Sequence, residues 1–383
     1  MKSTEIVQRI SNGEDSFTQF KENVTRSDSL ASEFVAFSNA KGGLIIIGVD
    51  DEGIIQGLDS KDISRINQLI SNVANENVTP PVYPLSEIHQ IQGNKLLVIH
   101  IPEGLNKPYA TKSGMYYTKS GADKRKVSQD ELKRMFASSG NLYADEELNR
   151  NTSLSDFDEK EFFRFFKNKK SNDFKETGLK LEPVLNNLNL YSEGHLTLSG
   201  TLFFAFNPQQ FYPVFNIQAV YIKGKRGASS TFEDKKYFEG NIYKLYEQAM
   251  MFFKASLKNI QRKNTFNTPG ELEIPVPALE EAVVNALIHR DYYIRSSIKL
   301  FIFDDCVEVR SPGKLPNSLT VEKIKQGLSI ARNPVMHSIA PFVLSYSGFG
   351  SGIERMVDSC GENVNFINDQ EKDEFRVVFK RPD

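Results

Sequence analysis

The chain has 383 residues, enough for two or three domains that each bury a core. Charged residues make up 25% and the hydrophobic class 39%, and a net charge of −2 excludes a protein that is basic throughout, so any nucleic-acid contact has to be a local patch. Two cysteines, Cys306 and Cys360, form neither a disulfide framework nor a metal spacing. The stretch Met1 to Ser16 lacks the apolar centre of a signal peptide, and no apolar run nears the ~20 residues of a membrane helix, so a cytoplasmic protein with no membrane partner is expected.

In chain order, Ser3 to Ile10 reads as a short helix, Phe17 to Lys21 as a strand, and Leu30 to Asn39 as a helix with an apolar face. Gly42-Gly43 ends that helix and opens the buried strand Leu44 to Val49. Asp50-Asp51-Glu52-Gly53 is a hairpin turn into Ile54 to Gly57. A helix from Ile63 to Ala74 follows, then strands near Ile88 to Ile91, Lys95 to Ile101, Pro108 to Thr111 and Met115 to Thr118. This α+β pattern marks a first domain over 1–142. Between Lys107 and Lys126, six cations (Lys107, Lys112, Lys119, Lys124, Arg125 and Lys126) stand against one acid, Asp123, with Tyr109, Tyr116 and Tyr117 interleaved. Such a stretch can hold phosphates and stack on bases, or it can be a solvated strand edge guarded by lysines.

The words Phe20-Lys21-Glu22, Ala36-Phe37-Ser38-Asn39-Ala40-Lys41-Gly42-Gly43, Ile47-Gly48-Val49-Asp50-Asp51-Glu52-Gly53 and Tyr117-Thr118-Lys119-Ser120-Gly121 resemble the Schlafen-AlbA-type DNA-binding domain. The resemblance implies nucleic-acid binding, DNA rather than RNA, and the candidate contacts are Lys21, Lys41, Lys119, Lys124, Arg125 and Lys126. It also raises a metal-dependent nuclease, because animal Schlafen domains cleave RNA with three acids. Here Glu14 and Asp50 match two of those places, but Gln19 stands where the second acid of the first word belongs, which argues against hydrolysis.

The middle, 143–270, opens with an acidic connector from Asp145 to Glu161, read as a linker. Phe157, Phe162, Phe165 and Phe166 mark an aromatic-faced helix that belongs to a core. Glu182 to Leu190 reads as helical, Thr197 to Phe206 as a buried apolar segment, Phe215 to Lys223 as a strand and Phe238 to Leu257 as a long amphipathic helix. The expectation is a connecting α/β domain.

The remainder, 271–383, begins with Pro277 and a helix from Leu279 to Asp291. Leu279, Ala282, Val283, Ala286 and Leu287 make its apolar face, while Glu281 and Asn285 project one turn apart from another side. An amide oxygen can ligate a hard cation, and a carboxylate beside it can orient a water or take its proton. A hairpin follows (Ser297 to Phe303, Cys306 to Arg310), then Ser311-Pro312-Gly313, a long polar insert, Gly348-Phe349-Gly350-Ser351-Gly352 opening a helix, and strands Asn363 to Ile367 and Glu374 to Phe379.

That order resembles the GHKL (Bergerat) ATPase fold, an α/β sandwich, in the divergent branch found beside Schlafen-AlbA-type domains in bacterial transcriptional regulators and RecG-like ATP-binding proteins. His289-Arg290-Asp291-Tyr292, Arg332-Asn333-Pro334 and the middle word Leu198 to Pro208 are similar to that branch as well. The resemblance implies ATP and Mg2+ as ligands, with Asn285 holding the metal, Glu281 serving the attacking water, Gly348, Gly350 and Gly352 admitting phosphates, and Gly313 also in the nucleotide site. Arg332 and Asn333, in a lid from Asn317 to Ser347, would reach those phosphates. No acid stands at Ser311-Pro312-Gly313, where the usual family reads adenine. The expected whole is a multidomain, homo-oligomeric, nucleotide-responsive nucleic-acid-binding protein. A slow ATPase, a phage-defence nuclease and a ligand-free scaffold are the alternatives.

Overall fold

The computed structural model describes residues 1–139, 142–227, 231–260, 270–316, 319–344 and 352–382. The chain forms two compact units, Met1–Leu142 and Tyr143–Asp383.

The first unit is built on a four-stranded sheet. Its strands are β1 (Thr18–Lys21), β2 (Gly43–Ile47), β3 (Leu85–Ile91) and β4 (Asn94–Ile101), in the order β1-β2-β4-β3. β1 runs parallel to β2, and the other neighbours are antiparallel. The apolar run of β2 has both faces covered, as a central strand requires. Ile45 and Ile47 pack with Leu97 and Ile99 under helix α2 (Ser27–Asn39) and helix α3 (Ser60–Asn72), while Leu44 and Ile46 pack with Phe20 and Val98 under helix α1 (Ser3–Asn12). Asn39 at the end of α2 hydrogen-bonds both polar groups of the Tyr109 backbone and the Tyr117 carbonyl, so it splices the helix to the later strands. A hairpin of β5 (Tyr117–Ser120) and β6 (Asp123–Lys126) leads into helix α4 (Gln129–Ser138).

The second unit has a six-stranded sheet. Strands β7 (Ile217–Lys223), β8 (Thr231–Phe238), β9 (Ile298–Ile302), β10 (Cys306–Pro312), β11 (Val364–Asp369) and β12 (Glu374–Lys380) lie in the order β8-β7-β9-β10-β12-β11. Helix α5 (Ile242–Ser256) and helix α6 (Val276–His289) pack on one face, over Ala219, Leu300, Val309 and Val377. The expected boundary at 270 therefore falls inside one compact unit: β7, from the stretch read as a connecting domain, pairs in parallel with β9. β8, which the residue pattern did not announce, edges the same sheet. The acidic stretch read as a solvated linker is also tied in. Asp145 is fully buried and accepts a hydrogen bond from the Met336 amide at 3.0 Å. Among the described residues no helix is long and apolar enough to cross a membrane.

Candidate nucleotide site and nucleic-acid face

Helix α6 has Pro277 in its first turn, where a missing N–H breaks no intrahelical bond. It is apolar nearly all round: Leu279, Ala282, Val283, Ala286 and Leu287 are buried, and so are Ala278, Val284 and Ile288. Glu281 and Asn285 occupy the strip that opens on a pocket. The Asn285 amide donates to Glu281 Oε1 at 2.9 Å, which leaves the amide oxygen as its outward ligand atom. Arg355, on helix α7 (Gly352–Cys360), donates to Glu281 Oε2 at 3.3 Å. Burial pushes the Glu281 carboxyl above the usual carboxylate range, against the opposing pull of Asn285 and Arg355.

Gly352, the first residue of α7, lies directly on that carboxylate. A Cβ there would stand 1.6 Å from Glu281 Oε1, so only glycine permits the approach. Gly348 and Gly350 lie outside the described residues, as do Asn317, Ser318 and positions 345–347 of the expected lid.

The pocket holds about 960 Å³, its solvent-open mouth included. Glu281, Asn285, Lys314 and Arg332 line it with polar side chains, and Val309, Phe375 and Val377 of the sheet line it with apolar ones. Glu281 is its single carboxylate among the described residues. Gly313 turns at φ +100°, and a Cβ there would meet Arg332 Nη1 at 2.6 Å and Asp291 Cβ at 2.5 Å. Burial lowers the Arg332 pKa, with Asp291 and Asp373 acting the other way. His289 also lines the pocket, and burial pushes it down to about 4, so its ring is neutral near pH 7. In the Ser311-Pro312-Gly313 turn, Ser311 donates to the Ala286 carbonyl at 3.3 Å.

Arg332 and Asn333, expected to act together on phosphates, part company. Arg332 hydrogen-bonds the His289 and Lys314 carbonyls and faces the pocket. Asn333 does not line it. Its amide, buried, donates to the Ile288 and Arg290 carbonyls at 2.8 and 2.9 Å and closes the end of α6, where carbonyls lack helical partners. Asn333 is thus a helix-end clamp, and nothing in the sequence pattern separates that use of an amide from a ligand-binding one.

Metal binding fits a nucleotide-borne cation better than a standing site. Among the described residues there is no group of three or more His, Cys, Asp or Glu able to hold an ion. Asn285 offers one oxygen beside one carboxylate, and magnesium is commonly held by one or two protein ligands together with substrate phosphates.

In the first unit the basic stretch is largely closed on itself. Lys124 Nζ donates to Glu33 Oε1 at 2.6 Å, and Glu33 is only 3% exposed. Arg125 makes a two-pronged pair with Glu131 at 2.6 and 2.7 Å, which holds the Glu131 carboxyl down at about 2. Lys119 reaches the Gln19 amide oxygen at 2.8 Å and sits 4.9 Å above the Phe37 ring, with its pKa lowered by burial. Lys107 binds the Ala40 carbonyl and Glu103. Tyr109 is buried, Lys21 half-buried, and Lys41 and Lys126 are exposed. The six-cation stretch therefore presents much less charge than its sequence implies. Glu14 and Asp50 are engaged locally as well: Glu14 accepts from Gln19 and the Phe20 amide, and Asp50 accepts from the Glu52 and Ile54 amides of its own turn.

Residues 14–128 match the family described as "Schlafen, AlbA_2", and residues 295–379 match the one described as "Putative ATP-dependent DNA helicase recG C-terminal". The chain carries a Schlafen AlbA_2 domain and a RecG-C-terminal-like, ATPase-like domain. In fold it is similar to the DIP2311 protein of Corynebacterium diphtheriae, with a TM-score of 0.50 and 20% identity over 99% of this chain and 80% of that one. The N-terminal domain of a RecG-related protein from Nitrosomonas europaea is 25% identical, covering 34% of this chain and 96% of its own, with a TM-score of 0.24. No curated protein matches the chain.

All six basic candidates lie inside the Schlafen AlbA_2 match. The RecG-C-terminal-like match contains Gly313, Arg332 and Gly352 but begins after Glu281 and Asn285. The helix that supplies the pocket's carboxylate and amide thus stands outside the matched segment and joins the pocket through the fold.

Proposed function

We propose that the chain is a nucleotide-responsive nucleic-acid-binding protein. The pocket of the second unit would take ATP with magnesium, and the Schlafen AlbA_2 domain would bind DNA in a regulatory, self-associating assembly. The observation that carries this reading is the convergence of Glu281, Asn285, Arg332 and Gly352 on one pocket with apolar walls. Those walls suit a flat base. Arg332 and Lys314 supply positive charge for phosphates, and the first turn of α7 supplies backbone N–H groups. Magnesium, when bound, would neutralise phosphate charge, with the Asn285 oxygen as its protein ligand. Glu281, with its raised pKa, is suited to orient a water and accept its proton.

Slow hydrolysis is the second reading, favoured by that buried carboxylate. The pair with Arg355 holds Glu281 in place, so turnover requires the pair to open or to admit a water. Calorimetric titration with ATP-magnesium tests binding. Arg332→Ala should weaken it at least about tenfold, as expected for loss of a charge-assisted contact. Asn333→Ala should instead lower stability by about 1–3 kcal/mol and leave the affinity of the folded fraction close to wild type. Unchanged affinity in Arg332→Ala would sink the pocket assignment. Phosphate release that survives Glu281→Gln would exclude this carboxylate as the base, and light scattering with and without nucleotide tests self-association.

A further inference from the structure

A second recess lies in the first unit, and none of the hairpin residues 119–126 lines it. It is an open groove of about 890 Å³ lined by Arg9, Phe17, Lys41, Tyr83, Leu85 and His100, among others. Gly42 and Gly43 give its lining a stretch without side chains. At Gly43 a Cβ would stand 2.4 Å from the Phe37 ring and 2.7 Å from the Phe17 carbonyl oxygen. At Gly42, with φ +73°, it would stand 2.6 Å from the Ile101 carbonyl oxygen.

The rim is unusual in two respects. Tyr83 is 77% exposed and Phe17 46%, so two aromatic rings stand in solvent at one groove. Single exposed apolar residues are ordinary, but clustered ones mark a binding surface. Arg9 and Lys41 are the charged side chains lining the groove among the described residues, and the nearby acid Glu87 is taken up by the Met1 amino group at 3.0 Å. Arg9 is steadied by donating to the Thr18 hydroxyl at 3.1 Å, and Lys41 is exposed at the tip of the α2–β2 turn. Burial holds His100 below its usual pKa, so it is uncharged near pH 7 and offers ring hydrogen bonding. This differs from the hairpin, where Glu33 and Glu131 already hold Lys124 and Arg125.

We propose that this groove binds single-stranded nucleic acid, with bases stacking on Tyr83 and Phe17 and the backbone running past Arg9 and Lys41. The proposal rests on the reading that this domain binds nucleic acid, and it names where and in what form. Exposed rings beside cations suit a polyanion whose bases are free to stack; bases paired in a duplex offer no such faces.

The test uses the full chain and fluorescent oligonucleotides: a 20-mer of thymidine, a 20-mer of uridine and a mixed-sequence 20-base-pair duplex. The single strands should bind more tightly than the duplex. Tyr83→Ala should weaken that binding by about 5- to 100-fold, the range for losing one stacked base, and Phe17→Ala should do the same. Lys41→Glu should reduce the slope of log affinity against log salt by about one. The chain has no tryptophan, so Tyr83→Trp keeps an aromatic face and places a single indole in the groove. Its fluorescence should be quenched by the thymidine 20-mer. Tyr83 is so exposed that both of its variants should fold. Single-strand binding by the wild type that Tyr83→Ala and Lys41→Glu leave unchanged, without indole quenching, would overturn the groove while sparing nucleic-acid binding elsewhere. A preference for duplex would overturn it too. Failure of the wild type to bind any of the three probes would remove the parent reading together with it.

Discussion

The hairpin of the first unit and the pocket of the second make opposite use of charged residues. In the hairpin, positions 119–126 collect cations densely along the chain, yet Lys124 and Arg125 each meet a carboxylate and Lys119 is drawn over a ring. The pocket is sparse in sequence: Glu281, Gly313, Arg332 and Gly352 are scattered over some seventy residues and come to one place. Charge density along a chain therefore says little about charge presented to a partner, because each cation takes whatever partner the fold brings. Spacing on a single helix is different, since the 281/285 pair is fixed by helix geometry alone.

The largest effect that would break this contrast is Gly352→Ala. The new methyl would have to displace the Glu281 carboxylate and break its contacts with Asn285 and Arg355. Overpacking of this kind destabilises by about 1–3 kcal/mol. ATP-magnesium affinity should fall at least about tenfold, because the first turn of α7 is pushed away from the pocket. Paired thermal melts and nucleotide titrations check both parts. A variant with wild-type affinity and melting would mean that the glycine approach is incidental to binding.

Next in size is the titration of Asp145. Burial raises its carboxyl to about 6, against the opposing hydrogen bond from the Met336 amide. The folded chain then binds this proton more tightly than the unfolded chain, whose carboxyl has the ordinary value of 3.8. Between about pH 4 and pH 6 the folded state carries the extra proton, so stability falls as pH rises through that window and this contribution is flat above it. Roughly two pH units correspond to about 3 kcal/mol at most. Asp145→Asn keeps an acceptor for the Met336 amide and abolishes the charge, so its stability should lack that decline. Denaturant melts of both proteins at pH 4, 5, 6 and 7 read it directly. Parallel curves would show that Asp145 ionises in the folded chain as easily as in water.

How much of this was legible in the sequence follows from the range of each interaction. The helix of Glu281 and Asn285, the buried strand Leu44 to Ile47 and the aromatic core around Phe162 are local patterns, and the fold contains them. The partner of Lys124 lies 91 residues away in α2, and no local rule points to Glu33. The boundary expected near 270 falls inside a compact unit for the same reason, since β7 and β9 pair in parallel across it. The contacts of Asn333 are not legible either, because a buried amide can close a helix end as readily as it can touch a ligand. The Gly352 approach could be suspected from the glycines, but its target, the Glu281 carboxylate, is visible only in three dimensions.

The smallest expected effect sharpens the contrast from the other side. Reversing Lys124 and Arg125 to glutamate, together, would be a large perturbation if the hairpin were the nucleic-acid face. It would then weaken affinity strongly and reduce the salt slope by about two. With both cations already paired, the counterions they could release are few, and the slope should change by less than about one. The structural price is modest but measurable. Glu131 loses its partner while remaining the third residue of a capping box, with Ser128 still bonded to it, and losses at such caps run to about 1 kcal/mol. Glu33 is a different case, because reversal of Lys124 sets a second carboxylate against one that is almost fully buried. Lys124→Met with Arg125→Gln therefore makes the cleaner pair, removing charge without creating repulsion. Salt titrations of this double variant beside Lys41→Glu compare the two faces directly, and a larger loss of slope in the hairpin variant would reverse the assignment of the binding surface.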